Sequence, residues 1–212
     1  MATIDPFAEH SVQWEKVRQQ FAADVATHDL AVLQDVGAHR HLRMARPDTA
    51  HLWYELVTWP SGVAVTGTMG SYLFTLDVSA GQVDMMDLLR SGEVDPAYWA
   101  GLAAGGKPSV QELAKERLYA YIDEAVTDEE QRHDGFRDAV SAWVICGVGT
   151  SQMETADSAR AWLGAFEEFP DFRFDTDGWD LLSYTPAYLW CCCAMQHAVQ
   201  TYDRQRAGTS GS

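Results

Sequence analysis

The sequence predicts an α+β fold: an N-terminal helix, an antiparallel meander of about five strands, and a predominantly helical C-terminal half packed on the sheet. Three observations carry this expectation. Period-two alternation beats helical spacing over residues 39–76. Turn chemistry cuts that stretch at Arg46-Pro47-Asp48-Thr49, Trp59-Pro60-Ser61-Gly62 and Thr68-Met69-Gly70-Ser71. After Leu76 helix-start signals take over.

Asp5-Pro6 is a helix start, and Phe7, Trp14, Val17, Phe21 and Val25 recur at helical spacing to about residue 27. Residues 30–36 read as a strand that passes through Gly37 into the meander, whose strands fall at about 39–46, 50–59, 62–68 and 71–76. A short helix over 83–90 ends at Ser91-Gly92, and Asp95-Pro96 opens another to about 103. Ala104-Gly105-Gly106-Lys107-Pro108 reads as a linker. Ser109 to Glu112, Thr127 to Glu130 and Ser151 to Glu154 each fit a capping box and predict three helix starts. The helices that follow carry apolar stripes such as Leu118/Tyr121/Ile122 and Phe136/Val140/Trp143. Thr185-Pro186 begins the last helix. The length suits one domain over residues 1–206, with a sheet part at about 1–90, a helical part at about 95–206 and a flexible tail at 207–212.

Strand parity sorts the meander into two unlike faces. With two-residue loops at Pro60-Ser61 and Met69-Gly70, Tyr54, Leu56, Val63, Val65, Tyr72, Phe74 and Leu76 share an apolar face. A three-residue loop at Pro47-Asp48-Thr49 adds Leu42 and Met44 to it and sets His41 opposite Glu55 and Arg43 opposite Trp53. A two-residue loop would drive the Arg43 charge into the apolar layer, which costs several kcal/mol when unpaired. The opposite face then carries His39, His41, Arg43, Trp53, Glu55, Trp59, Thr66 and Thr68.

Arg40-His41-Leu42-Arg43, the run from Trp53 through Trp59-Pro60, and Gly67-Thr68-Met69-Gly70-Ser71-Tyr72-Leu73-Phe74 resemble a family of uncharacterised proteins carried by bacteriophages, prophages and plasmids. About 40 residues carry the resemblance, and the late Tyr-x-x-x-Trp-Cys-Cys segment is similar as well. Ser61 is inserted before Gly62, and Thr68 stands where the family pattern has Asp. The resemblance implies a bacterial cytoplasmic setting and supplies no activity.

Fifteen basic against thirty-one acidic side chains give a net charge of −16. That field repels nucleic-acid phosphate and anionic lipid and attracts basic protein surfaces, so direct nucleic-acid binding is disfavoured. The most apolar run, residues 188–199, is interrupted by Gln196 and His197 and is shorter than the roughly 20 residues that span a bilayer, so no membrane role is expected. Cys191, Cys192 and Cys193 are consecutive, cannot converge on one tetrahedral ion, and read as reduced thiols in helix packing. Asp171, Asp175, Asp177 and Asp180 surround Gly178, but Arg173 interrupts them and no bidentate Glu follows, so a solvated loop is favoured over a calcium site. No cofactor or metal is expected, His133 and His197 stand isolated, and the oligomeric state is open.

The local candidate for chemistry is His41, Arg43 and Glu55, with Thr66 and Thr68 alongside: a His beside a carboxylate suits a general base, and an Arg suits an anion. A solvated cross-strand network is the favoured alternative. Trp53 and Trp59 either lie under the later helices, as layer logic favours, or form a recognition patch. Asp123, Glu124, Asp128, Glu129 and Glu130 cluster at a helix junction and are candidates for contact with a basic partner, although a solvated helix face uses the same composition. The expected function is an acidic binding or inhibitor protein of a mobile genetic element that acts by contact on a host protein. A small-molecule-binding or hydrolytic enzyme using His41, Arg43 and Glu55 is the alternative.

Overall fold

Backbone alternation and the turn residues produce the five-stranded sheet. The structure, a computed structural model, describes residues 6–77 and 81–209, without the side chains of 6–11, Asp128 and Thr209. The expected cap at Asp5 lies outside the described residues. Helix α1 (Pro6–Val25) precedes β1 (Asp29–Val36), β2 (His39–Ala45), β3 (Tyr54–Trp59), β4 (Gly62–Gly67) and β5 (Gly70–Thr75). These strands form an antiparallel sheet in sequence order. Then come α2 (Met85–Arg90), α3 (Pro96–Leu102), a 3₁₀ turn (Lys107–Val110), β6 (Gln111–Leu113), α4 (Lys115–Glu129), α5 (Phe136–Gly149), α6 (Ala156–Gly164), β7 (Leu182–Tyr184) and α7 (Pro186–Thr209).

The described chain divides into two compact units. A sheet unit comprises residues 7–77, 81–110 and 184–209, and a helical unit comprises residue 6 and 111–183. The sequence suggested one domain with its boundary near residue 90; the chain instead divides at 110/111 and 183/184, because α2, α3 and α7 belong with the sheet. The expected linker at 104–108 stays in the sheet unit, where the Ala104 N–H donates to the Leu73 carbonyl at 2.8 Å. Helix α7 runs through Ala207 to Thr209, so the first half of the expected tail is helical, and 210–212 lie outside the described residues.

The apolar face of the sheet buries Leu42, Met44, Tyr54, Leu56, Val63, Val65 and Phe74 against α7. Residues 188–195 of α7 are buried without interruption, as in a helix that is apolar all round. Phe21 and Val25 of α1, Met85, Met86 and Leu89 of α2, and Trp99 of α3 complete this core. Each full burial of such a side chain is worth about 1.5–3 kcal/mol.

Two registers differ from expectation. Arg43 pairs with Glu55 and His41 with Val57, not His41 with Glu55 and Arg43 with Trp53. The reason is the connection: residues 46–53 separate the strands, with Leu52 in the left-handed region (φ 56°), where a three-residue turn was expected. The last hairpin closes on Gly67 and Gly70 around Thr68-Met69, not around Met69-Gly70. Both slips are by two residues, so every side chain keeps its face.

Asp95 caps α3 as expected, its side chain accepting from the Ala97 N–H at 2.9 Å. The three predicted capping boxes do not form. Ser109 sits in the 3₁₀ turn and Glu112 in β6, which pairs with β7. Thr127 lies in the last turn of α4, where its hydroxyl donates to the Asp123 carbonyl at 2.8 Å. Ser151 precedes the true cap, Thr155, which exchanges hydrogen bonds with Ser158. The helical unit packs Leu118, Ile122, Phe136, Val140, Leu163, Phe166 and Leu181 into its own core.

Candidate functional site

On the side of the sheet opposite Leu42 and Leu56, strand alternation brings His41, Arg43, Glu55 and Trp53 together. The His41 Nε2 lies 2.9 Å from Glu55 Oε2, and Arg43 Nη1 lies 3.6 Å from Glu55 Oε1. One carboxylate thus holds the imidazole and the guanidinium, one on each oxygen. The Arg43 guanidinium sits 5.4 Å from the centre of the Trp53 ring, a cation–π geometry. Glu55 is 17% exposed and Arg43 47%, so the anchor is shielded while the cation reaches solvent. Thr66 pairs with Glu55 across β3–β4, and its hydroxyl shares a 2.7 Å hydrogen bond with Ser71.

Two predicted residues stand apart. Trp59 closes the far end of β3, about 20 Å from Trp53 at roughly 3.3 Å per residue. Gly62 is required beside it, because a Cβ there would strike the Trp59 indole. Thr68 is exposed in the last hairpin turn and touches the cluster only through its N–H, 3.1 Å from the Trp53 carbonyl. Helices were expected to cover Trp53 and Trp59. Trp53 and Trp59 are both half-buried; α7 packs on the apolar face, and His39, Arg43, Ser71, Leu73 and Thr75 on the other face are exposed.

General-base chemistry needs a proton donor within hydrogen-bond reach of the imidazole. Thr66 lies two strands from His41, about 10 Å at the usual strand spacing. The arrangement orients an imidazole and a guanidinium on one carboxylate but pairs neither with a nucleophile.

Within the helical unit, Asp123, Glu124 and Glu129 fall on the last turns of α4 and Glu130 is its C-cap; the Asp128 side chain lies outside the described residues. Arg137 binds Asp123 at 2.7 Å and Glu130 at 2.9 Å, and Arg132 binds Glu129 at 2.6 Å. The cluster is therefore partly neutralised by its own arginines. In the acidic loop, Asp180 pairs with the buried Arg117.

Sequence reasoning missed a buried pair. The Tyr54 hydroxyl lies 2.7 Å from His197 Nδ1. Burial pushes the Tyr54 phenol well above its usual value. Burial, then Arg204 and His28, push the His197 imidazole below its usual value. A Tyr on the core face of a strand and a His on an apolar helix are two polar groups that each need a buried partner, and that was the available signal. His197 also lines a cleft of about 290 Å³ with Trp14, Arg18, Phe21, Gln196 and Gln200. The neighbouring Cys191 and Cys193 thiols are pushed up to about 12 by burial, which keeps them protonated and suits packing.

Compared with known proteins, the chain matches no family model, no curated protein and no solved structure. Among the described residues, no helix is long and apolar enough to cross a membrane.

Proposed function

We propose that the chain is a binding protein that acts by protein–protein contact through the solvent-facing side of its five-stranded sheet. The observation that carries this reading is the preassembled Arg43–Glu55–His41 cluster with Trp53 against Arg43, on a face where Arg43, His39, Ser71, Leu73 and Thr75 are exposed. Trp and Arg dominate interface hot spots, and side chains already held in place lose little entropy on binding. The net charge of −16 steers encounters towards a partner with a basic surface. The resemblance of residues 40–74 to proteins of bacteriophages and plasmids supports a bacterial host protein as that partner, of a defence or nucleic-acid-processing kind.

The test is affinity capture from bacterial lysate followed by binding measurements on the captured protein. Trp53→Ala and Arg43→Glu are expected to weaken that partner tenfold or more, while Lys107→Ala in the sheet unit leaves it unchanged. Equal affinity in all four proteins refutes the sheet face as the contact surface.

A further inference from the structure

Negative charge is concentrated in the helical unit. Residues 111–183 hold 17 of the 31 acidic side chains and 6 of the 15 basic ones, so they carry 11 of the 16 net negative charges. The same unit leaves large apolar side chains in water: Ile145 is 71% exposed, Val148 45% and Tyr119 42%. These residues are not scattered. Exposed Tyr119 on α4 and Ile145 on α5 adjoin the buried core residues Ile122, Val126 and Val140 and the half-buried Val144. Together they line a groove of about 390 Å³, and Val148 extends the α5 stripe by a further turn.

The rim decides what fits. Glu116, one turn before Tyr119 on α4, and Asp138, one turn before Ser141 on α5, are exposed, and the groove's own cation, Arg137, is already held by Asp123 and Glu130. Lys115, at the start of α4, is an exposed positive exception. A second copy of this chain would bring two strongly acidic surfaces together, which the charge opposes. An amphipathic helix with apolar residues at i, i+3, i+4 and i+7 and Lys or Arg on its flanks matches both the stripes and the rim.

We infer that the α4–α5 groove is a docking site for a basic amphipathic helix of a partner protein. Its apolar stripe lies between Tyr119 and Ile145, and its cationic residues lie over Glu116 and Asp138. The inference is independent of the sheet-face reading, because every residue it uses lies in the helical unit.

A labelled leucine–lysine peptide of about 18 residues at helical spacing is the probe, read by fluorescence anisotropy with the full chain. A serine–lysine peptide of equal charge and a leucine–glutamate peptide of equal apolarity are the controls. The leucine–lysine peptide is expected to bind at least tenfold more tightly than either control. The double variant Ile145→Ser/Val148→Ser, at exposed positions, is expected to lose tenfold or more, with circular dichroism unchanged. Trp53→Ala is expected to bind the peptide like the parent protein. The inference is overturned if the serine–lysine peptide binds equally well, if the double variant keeps its affinity, or if no peptide binds. Loss of binding in Trp53→Ala instead would move the peptide to the sheet face, ending the groove assignment while leaving the sheet-face proposal standing. A dimer broken by the double variant in sedimentation would make a second copy the occupant and overturn it as well.

Discussion

Replacing Tyr54 with Phe removes one oxygen from the middle of the sheet unit and leaves the aromatic packing in place. The Tyr54 ring stays 5.5 Å from Trp190 and 6.3 Å from Phe21. What is lost is the 2.7 Å hydrogen bond to His197 Nδ1. A net hydrogen bond is worth about 1 kcal/mol, and a buried ring nitrogen left without a partner raises the cost to about 1–3 kcal/mol. The pH dependence sharpens the test. Burial lowers the folded His197 pKa below its ordinary 6.5, so between the folded value and 6.5 the unfolded chain binds more protons. The stability that this neutral imidazole contributes is therefore full above pH 6.5 and is lost as pH falls through the folded pKa. A Tyr54 hydroxyl that donates to Nδ1 can do so only to the neutral ring, so its removal takes away a bond present at pH 7.5 and absent once the imidazole is charged. Urea unfolding followed by tryptophan fluorescence, at pH 7.5 and again at 5.5, measures both effects. Tyr54→Phe is expected to cost more at pH 7.5 than at 5.5, with an unchanged slope against urea. A substitution that is neutral at pH 7.5, or one that costs more in acid, refutes the pairing.

Gly62→Ala places a Cβ in the Trp59 indole and is expected to destabilise the protein by about 1–3 kcal/mol. Most of that cost should disappear in a Trp59→Ala background, and denaturation of the double-mutant cycle measures it. Glu55→Gln weakens the hydrogen bond to His41 and the half-exposed ion pair to Arg43, so its stability cost should stay below about 1 kcal/mol by the same urea assay. Cys146 is exposed and the three thiols of α7 are buried, so mass spectrometry after brief alkylation should find one modified cysteine in the native protein and four in urea. Early modification of Cys191 or Cys193 would contradict their burial.

Helix starts were legible where proline sets them. Asp95-Pro96 and Thr185-Pro186 predict α3 and α7 because the pyrrolidine ring imposes helical φ locally. The capping boxes failed for the opposite reason. A Ser or Thr three residues before a Glu is a weak local preference. The backbone around Ser109 and Glu112 instead entered a 3₁₀ turn and a ladder with β7, a partner about 70 residues away. The cap that did form at Thr155 uses Ser158 in place of the acidic residue, outside the motif. In the candidate site, His41, Arg43 and Glu55 were legible as neighbours on one face, while the Arg43–Glu55 pairing depended on the eight residues between β2 and β3.

Chain order alone determined the α+β class, the meander and the division of its side chains into a greasy and a polar face. Those follow from a repeat of two along a strand, which any even slip in pairing preserves. Only the folded chain decided that α7 joins the sheet, that α4 to α6 close around their own aromatic core, and that Tyr54 meets His197 across 143 residues of separation. Backbone periodicity is a property of a few adjacent residues. Distant partners are chosen by which surfaces lose most water when the whole chain collapses, and no short stretch of sequence contains that choice.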